Sequence, residues 1–121
     1  MKATTQQRGA WAESKALKFL QQRGLKLVEK NFNCRRGEID LIMNDHEALV
    51  FIEVRFRAKS AHVSALESVD QRKQQRISLS AQHYLQRHPD QAWRNCRFDV
   101  LGISENDHEH AIEWIQDAFQ S

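Results

Sequence analysis

The sequence predicts an α/β fold in which helices pack on one mixed β-sheet, with the element order α-β-β-β-α-β-β. Two apolar segments on either side of a polar turn indicate a β-hairpin, and two other stretches show helical periodicity. The second helical stretch lies between the hairpin and two further strands, which requires both parallel and antiparallel strand pairs. The 121 residues suit a single domain, 1–121, with a modest core.

The first half of the chain contains one helix and three strands. Thr4 or Thr5 is a good N-cap for a helix that runs to about Gln22 or Arg23, where Gly24 stops it. The three predicted strands are 25–32, 38–43 and 48–57. The polar segment "NDHE" between the last two supplies turn residues, so these two strands form the hairpin.

The second half adds the crossover helix and two strands. Helical periodicity covers 66–87 and ends at the His88-Pro89 pair. A strand follows at 96–103 and a short strand at 111–115, and residues 116–119 are interpreted as a last turn of helix.

The hairpin separates apolar from charged side chains, because successive side chains of a strand point to opposite faces. One face is predicted to carry Ile39, Leu41, Met43, Val50, Ile52, Val54 and Phe56. The other is predicted to carry Glu38, Asp40, Ile42, Phe51, Glu53, Arg55 and Arg57. A turn centred on Asp45-His46 would pair Asp40 with Phe51 and Glu38 with Glu53. Facing carboxylates are destabilising, so this face needs a cation, which either Arg55 or a divalent metal ion can supply.

Each helix adds one unexpected polar residue to this picture. Glu13 lies in the middle of the apolar stripe of the first helix, and Lys73 lies in the apolar stripe of the second. Buried Glu and Lys are rare unless they are paired or bind a metal. If both helices cover the acidic face of the hairpin, the pattern predicts a catalytic site there; an ordinary wet face with cross-strand ion pairs is the alternative.

Charge is distributed in blocks, although the net charge is only +2. Residues 1–36 carry nine Lys/Arg and two acids, whereas 37–53 carry five acids and no Lys/Arg. Basic segments around an acidic centre suit a polyanion held near a cation site; solvated charged faces are the alternative. Cys34 and Cys96 make neither a disulfide framework nor a four-ligand zinc site. Without a signal-peptide run or an apolar stretch of about 18 residues, we expect a cytoplasmic protein that does not enter a membrane.

Four segments in order resemble a known family. "GEIDLI" (37–42), "VFIEVRFR" (50–57), "SVDQRKQQRI" (68–77) and "CRFDV" (96–100) resemble the YraN-like family of bacterial proteins, and the similarity covers nearly the whole chain. Those proteins are regarded as predicted endonucleases, distantly similar to archaeal Holliday-junction resolvases in the PD-(D/E)XK nuclease superfamily. The resemblance implies a restriction-endonuclease-like core with its site on the central hairpin.

The resemblance also implies roles for individual residues. Asp40 and Glu53 match the aspartate and glutamate of the motif and would be catalytic metal ligands. Glu13 matches an acid that many members place on the first helix, and Glu38 would be an accessory metal-binding acid. Arg55 stands where the superfamily has lysine, and arginine cannot act as a base because it keeps its proton. Lys73 would then supply the missing amine, so Arg55 and Lys73 complete the catalytic set.

The implied function is hydrolysis of phosphodiester bonds in structured or branched nucleic acid, with Mg²⁺ or Mn²⁺ as cofactor. DNA is expected in preference to RNA, and resolvases suggest a homodimer by analogy. Basic residues expected to hold the nucleic-acid backbone are Arg35, Arg36, Arg57, Lys59 and Arg72.

Two other functions stay open. Loss of the lysine at position 55 would suit a catalytically weak or inactive nucleic-acid-binding module on the same fold. The acidic C-terminal block would suit a protein-interaction subunit. His108 and His110 resemble metal ligands, but a solvated loop is favoured there. Asp99 is interpreted as a paired polar residue rather than as part of the site.

Overall fold

The computed structural model describes residues 5–57, 64–105 and 110–120. Two α-helices flank one five-stranded sheet, and a short 3₁₀ turn, Pro89–Gln91, follows the second helix. The elements are α1 Thr5–Gln22, β1 Lys26–Cys34, β2 Gly37–Asp45, β3 Ala48–Arg57, α2 Gln71–Arg87, β4 Cys96–Glu105 and β5 His110–Phe119. The α/β class and the order α-β-β-β-α-β-β are confirmed.

The strands lie side by side in sequence order, β1-β2-β3-β4-β5. Only β3 and β4 pair in parallel, and every other neighbouring pair is antiparallel. This arrangement follows from the connections, because short turns join antiparallel neighbours, whereas a parallel neighbour needs a long crossover. Here the crossover contains α2, so the mixed sheet is as predicted.

Helix α1 ends at Gln22 as predicted, and Thr4, one of the two predicted N-caps, lies outside the described residues. Ala12, Ala16 and Leu20 recur every four residues and are buried against the sheet. Gly24 ends the helix with a φ of +93°, a conformation that favours glycine, and its N–H donates to the carbonyl of Gln21.

Helix α2 begins at Gln71, five residues later than predicted. The carboxylate of Asp70 accepts from the backbone N–H of Lys73 at 2.8 Å and caps the helix. The preceding residues 65–69 form turns instead, with the N–H of Ser68 donating to the carbonyl of Ala65. Ala65 and Val69 in these turns are buried in the same cluster as the apolar face of α2. The apolar pattern of the sequence therefore extends before the start of the helix.

The end of the chain differs from the prediction. Residues 116–119 continue β5 and do not form a helical turn. The ladder with β4 shifts register between Phe98 and Val100, and Asp117 has a φ of +52°. This bulge interrupts the strict alternation of side chains, so the end of the strand could not be predicted from the apolar pattern.

Fully buried Asp99 explains why the bulge is stable. Its carboxylate accepts from Arg97 Nε at 2.9 Å, Trp114 Nε1 at 2.9 Å and the backbone N–H of Asp117 at 2.9 Å. Arg97 Nη2 also contacts Asp45 at 3.0 Å, which ties β4 to the end of β2. The interpretation of Asp99 as a paired polar residue is confirmed.

Two cores cover opposite faces of the sheet. Leu41, Met43, Val50 and Ile52 pack under α1, whereas a cluster containing Phe51, Phe98, Ile77 and Tyr84 lies under α2. The expectation that both helices cover the same face is therefore wrong. Alternation alone does not say which helix covers which face.

Ile39 was also assigned to the wrong face, since it packs in the cluster under α2 and not with Leu41 and Met43. The alternation breaks beside Asn31, whose φ is +55° and which is absent from the paired residues of β1 and β2. Neither helix among the described ranges combines the length and apolar character needed to cross a membrane.

Candidate active site

The hairpin forms with a register two residues away from the predicted one. Asp45 pairs with Ala48 and Ile42 pairs with Phe51, so His46 and Glu47 are the central turn residues. His46 has a φ of +55°, the conformation that such a tight two-residue turn requires. The predicted pairing of Asp40 with Phe51 is thus wrong. A shift of two residues keeps every side chain on its face, so the apolar pattern could not reveal it.

The two strands of the hairpin separate where the acidic residues begin. Their pairing ends at Leu41 and Ile52, although β2 reaches back to Gly37 beside β1 and β3 continues to Arg57 beside β4. Across the opening, Asp40 Oδ2 accepts from the backbone N–H of Val54 at 2.8 Å. The hydrogen bond holds Asp40 next to Glu53 at the point of separation.

Asp40 and Glu53 are both buried, with exposed fractions of 7% and 5%. Burial, followed by the charge of Glu53, raises the pKa of Asp40 to about 8, although the N–H of Val54 opposes this. Glu13 and Glu38 raise the pKa of Asp40 further, by smaller amounts. The structure therefore brings all four predicted acids within electrostatic reach of one another.

Two cations compensate Glu53. Lys73 Nζ lies 3.0 Å from Glu53 Oε1, and Arg55 Nη1 lies 3.7 Å from the same oxygen. Arg55 is held from the other side, because its Nε donates to Ser68 Oγ at 3.2 Å. Ser68 was missed by the sequence analysis, since only the folded turn brings position 68 to position 55.

Glu13 approaches from the α1 side. It is half-buried beside the stripe of Ala12 and Ala16 and not in the middle of it, which corrects the predicted placement. Burial raises the pKa of Glu13, and Glu38 and then Glu53 add to this, against a hydrogen bond with the Asn31 side chain. It lines a separate cavity of about 140 Å³.

A second cavity, of about 230 Å³, opens on the α2 side of the acids. It is lined by Gly37, Glu38, Glu53, Lys73, Arg76 and Ile77. We call it the site cavity. No role was predicted for Arg76, although it lies three residues after Lys73, a spacing that places two helical side chains on one face.

The predicted backbone-binding residues occupy different surroundings. Arg35 and Arg36 are exposed in the turn between β1 and β2, next to the site cavity. Arg72 is exposed on α2 and lines a groove rich in glutamine. Arg57 is largely buried, and its Nη2 lies 3.5 Å from Glu113. Lys59 lies outside the described residues, as does His108.

Asp40, Glu53 and Glu38 are the residues on this side of the sheet that could hold a metal ion. Within residues 5–57, 64–105 and 110–120, no three His, Cys, Asp or Glu side chains form a ready-made metal cluster. Mg²⁺ does not require one, because it is usually held by one or two carboxylates together with water and substrate phosphates.

Comparison of the sequence with known proteins identifies its family. The model of "Uncharacterised protein family UPF0102" matches residues 12–103, a range that contains Glu13, Asp40, Glu53 and Lys73.

The chain belongs to the UPF0102 family.

Curated relatives match it over nearly their full lengths. A UPF0102 protein of Alcanivorax borkumensis is 54% identical over 115 residues, which is 93% of this chain and 91% of the relative. Another from Nitrosococcus oceani is 48% identical over 118 residues, 98% of this chain and 95% of the relative. One from Pseudomonas syringae is 47% identical over 123 residues, covering 99% and 98%. The resemblance to the YraN-like family is therefore confirmed as membership of UPF0102, and the assignment to the PD-(D/E)XK nuclease superfamily stays a prediction.

Proposed function

We propose that this protein is a metal-dependent endonuclease that hydrolyses phosphodiester bonds in structured or branched nucleic acid. One observation carries the proposal: buried Asp40 and Glu53 meet where β2 and β3 separate, and Lys73 Nζ lies 3.0 Å from Glu53. Two carboxylates and an amine at the edge of a cavity are the groups that metal-assisted hydrolysis needs.

The donor atoms suit Mg²⁺ or Mn²⁺. Carboxylate oxygens are the hard ligands that these ions take, and both carboxylates are attached to rigid strands. Burial, and then the charge of Glu53, raises the pKa of Asp40 to about 8, and a bound divalent cation would favour the charged form of this carboxyl. When bound, such an ion supplies an activated water and neutralises charge on the phosphate.

The chain's own residues have distinct roles in this proposal. Asp40 is aimed by the N–H of Val54 and must lose its proton to act as a ligand. Glu53 is held between Lys73 and Arg55, so its carboxylate has a fixed orientation. Lys73 and Arg55 would also stabilise the negative charge that grows on the phosphate during hydrolysis.

Substrate binding rests on exposed basic residues, of which Arg35 and Arg36 lie beside the site cavity and Arg72 lines a different groove on α2. Arg35, Arg36 and Arg72 are exposed and can neutralise backbone phosphates without reading base sequence. We expect DNA in preference to RNA, in keeping with the resolvase-like resemblance. Arg57 contributes less than predicted, because Glu113 already compensates its charge.

The test is cleavage of branched, flapped and single-stranded DNA and RNA in the presence of Mn²⁺. We expect wild type to cleave at least one of these substrates and the double variant Asp40→Ala/Glu53→Ala to cleave none. Equal behaviour of the two proteins on every substrate would sink the nuclease proposal.

A nucleic-acid-binding module is the second candidate, and Arg55 favours it. Arginine keeps its proton, and the hydrogen bond to Ser68 Oγ fixes this guanidinium in a structural contact. A binding module would retain salt-dependent affinity for DNA in the double variant and would show no cleavage in wild type. A protein-interaction subunit would instead show no DNA affinity even at low salt.

A further inference from the structure

Two cavities meet beside the proposed active site. The site cavity is lined in part by Glu53 and Lys73. It adjoins a more open cavity of about 480 Å³, which is lined by residues of the turn between β1 and β2, among them Arg35 and Arg36. Gly37, Glu38 and Arg76 line both. Arg76 therefore lies at the junction between the acids and the exposed basic turn.

Helix α2 packs against the start of β2 at Gly37. The φ of this glycine is +149°, which L side chains rarely adopt. A Cβ at this position would lie 3.4 Å from Ser80 Oγ and 3.7 Å from Arg76 Cβ. The helix thus lies against the backbone of β2, and Arg76 is positioned beside the carboxylates by packing of α2.

Arg76 differs from the other arginines near buried acids. Arg55, Arg57 and Arg97 each contact a carboxylate. Among the described parts of the chain, nothing hydrogen-bonds to the side chain of Arg76 or forms an ion pair with it, although it lines a cavity with Glu38 and Glu53. Its five donors are thus available to a ligand.

The charges around the site cavity explain why such a group is useful. A phosphate that enters it meets the carboxylates of Glu38 and Glu53, and Lys73 is already engaged by Glu53 at 3.0 Å. A second cation is needed to bring the anion in. The guanidinium of arginine is planar and can bind two phosphate oxygens at once, which an ammonium group cannot do with the same geometry.

We propose that Arg76 binds a backbone phosphate of the nucleic acid at the junction of the two cavities, so that the strand leaves the acids over Arg76 towards Arg35 and Arg36. This inference rests on the proposed function and adds the direction in which the substrate crosses the protein. It makes Arg76 a binding residue that acts before, and independently of, the metal.

The experiment measures binding apart from cleavage. A fluorescently labelled single-stranded DNA oligonucleotide is titrated with protein in EDTA at several salt concentrations, using wild type, Arg76→Ala, Arg76→Lys and Arg87→Ala. Arg87 is the control because it is exposed on the same helix, has the same charge and lines neither cavity, although its guanidinium also lies over the Phe32 ring, 5.4 Å from the centroid.

We expect Arg76→Ala to weaken binding by about 10-fold and to reduce the slope of log affinity against log salt by about one. Arg76→Lys should keep the wild-type salt slope, because the charge is unchanged. Its affinity should lie between those of wild type and Arg76→Ala, because lysine cannot bind the phosphate in a bidentate manner. Arg87→Ala should match wild type. Thermal unfolding of each variant checks that the fold is intact.

Failure of this inference can be told apart from failure of the proposed function. If Arg76→Ala binds with the salt slope of Arg87→Ala, or if wild type does not bind the oligonucleotide, the inference is overturned, whatever the cleavage assay shows. If Arg76→Ala loses affinity as expected but wild type never cleaves with Mn²⁺, the phosphate site stands and the nuclease proposal fails.

Discussion

Asp40 shows how strongly the folded surroundings decide the chemistry of one residue. In an unfolded chain an aspartate has a pKa of about 3.9. Burial and the charge of Glu53 raise the pKa of Asp40 to about 8, so without a cation this carboxyl is largely protonated at neutral pH. Its state then depends on whether a positive charge arrives, which links proton release to ligand binding.

The raised pKa predicts how stability depends on pH. Between about pH 4 and pH 8 the native Asp40 holds a proton that the unfolded chain has lost, so its contribution to the free energy of unfolding falls as pH rises. The slope from this one group is at most about 1.4 kcal/mol per pH unit. Asp40→Asn keeps a neutral acceptor for the N–H of Val54, and we expect the metal-free variant to gain stability over wild type as pH increases.

Urea unfolding in EDTA at several pH values measures this difference. Glu47→Gln is the matched control, because Glu47 is an exposed carboxylate in the hairpin turn. The control should follow wild type at every pH. A constant difference between Asp40→Asn and wild type from pH 5 to pH 8 would contradict the raised pKa.

Lys73 and Arg55 contact the same carboxylate but should matter unequally. Lys73 Nζ is the closer group, at 3.0 Å from Glu53 Oε1 against 3.7 Å for Arg55, and it faces the site cavity. We expect Lys73→Ala to lower the Mn²⁺-dependent cleavage rate on the order of 100-fold, because it removes a cation at the developing charge.

Single-turnover cleavage at saturating protein separates this effect from binding. Lys15→Ala is the control, since Lys15 is exposed on α1 away from the site cavity. A Lys73→Ala protein that cleaves at the wild-type rate would remove Lys73 from the proposed mechanism and leave Arg55 as the cation in contact with Glu53.

For the strands, the sequence predicts which side chains share a face of the sheet better than it predicts which residues pair across two strands. Alternation correctly predicted that Val50, Ile52, Val54 and Phe56 share an apolar face. It could not distinguish registers that differ by two residues, and the two-residue turn at His46 decided between them. The pairing that places Asp40 beside Glu53 is therefore a property of the turn as much as of the strands.

Contacts between distant elements were beyond prediction for a similar reason. Ser68 reaches Arg55, and Arg76 lies against Gly37, only after the crossover has placed α2 on the sheet. No local pattern marks Ser68, because serines are common in polar segments, and only the spacing of three residues from Lys73 marks Arg76. The two acids of the site were predictable because a carboxylate in an otherwise apolar strand is rare.

A substitution at Gly102 in β4 tests how closely the turn before α2 packs on this strand. A Cβ at position 102 would lie 2.6 Å from the Cβ of Ala65 and 3.2 Å from the Arg57 guanidinium. The turn therefore packs directly on the backbone of β4, and the N–H of Ala65 also donates to Glu113 at 2.8 Å. We expect Gly102→Ala to lower the free energy of unfolding by about 1–3 kcal/mol, measured by urea unfolding.

A second substitution checks the cause. Ala65→Gly removes the closest atom, so the double variant should be less destabilised than the two single changes added together. Gly9→Ala is an opposite control, because nothing lies within 4 Å of the added Cβ and alanine favours the helix by about 1 kcal/mol. Additive effects at positions 65 and 102 would show that the close contact is not the reason.

For the whole molecule, the charge blocks of the sequence become a spatial pattern. The acidic block 37–53 forms the hairpin at the centre of the sheet, and the basic turn that precedes it lies beside the site cavity. Asp99 belongs to the acidic C-terminal block, 98–121, but its carboxylate is hydrogen-bonded by Arg97 and Trp114. Composition could not separate acids that form the site from acids that hold strands together.

The global prediction that follows is stabilisation by a divalent cation. An ion that binds only the native state raises stability, by about 2.7 kcal/mol at a concentration 100 times its Kd. For a chain of 121 residues this corresponds to an increase in Tm on the order of 10 °C. Because Asp40 must lose its proton to bind the ion, the increase should be larger at pH 8 than at pH 6.

Differential scanning fluorimetry with and without Mn²⁺ measures the shift in wild type, Asp40→Ala and Glu47→Ala. Glu47→Ala should respond as wild type does, since its carboxylate lies in the exposed turn at the other end of the hairpin. Asp40→Ala should lose the response, because one of the two buried carboxylates is gone. An equal response in Asp40→Ala would place the ion elsewhere, and the absence of any response in wild type would favour the nucleic-acid-binding module over the nuclease.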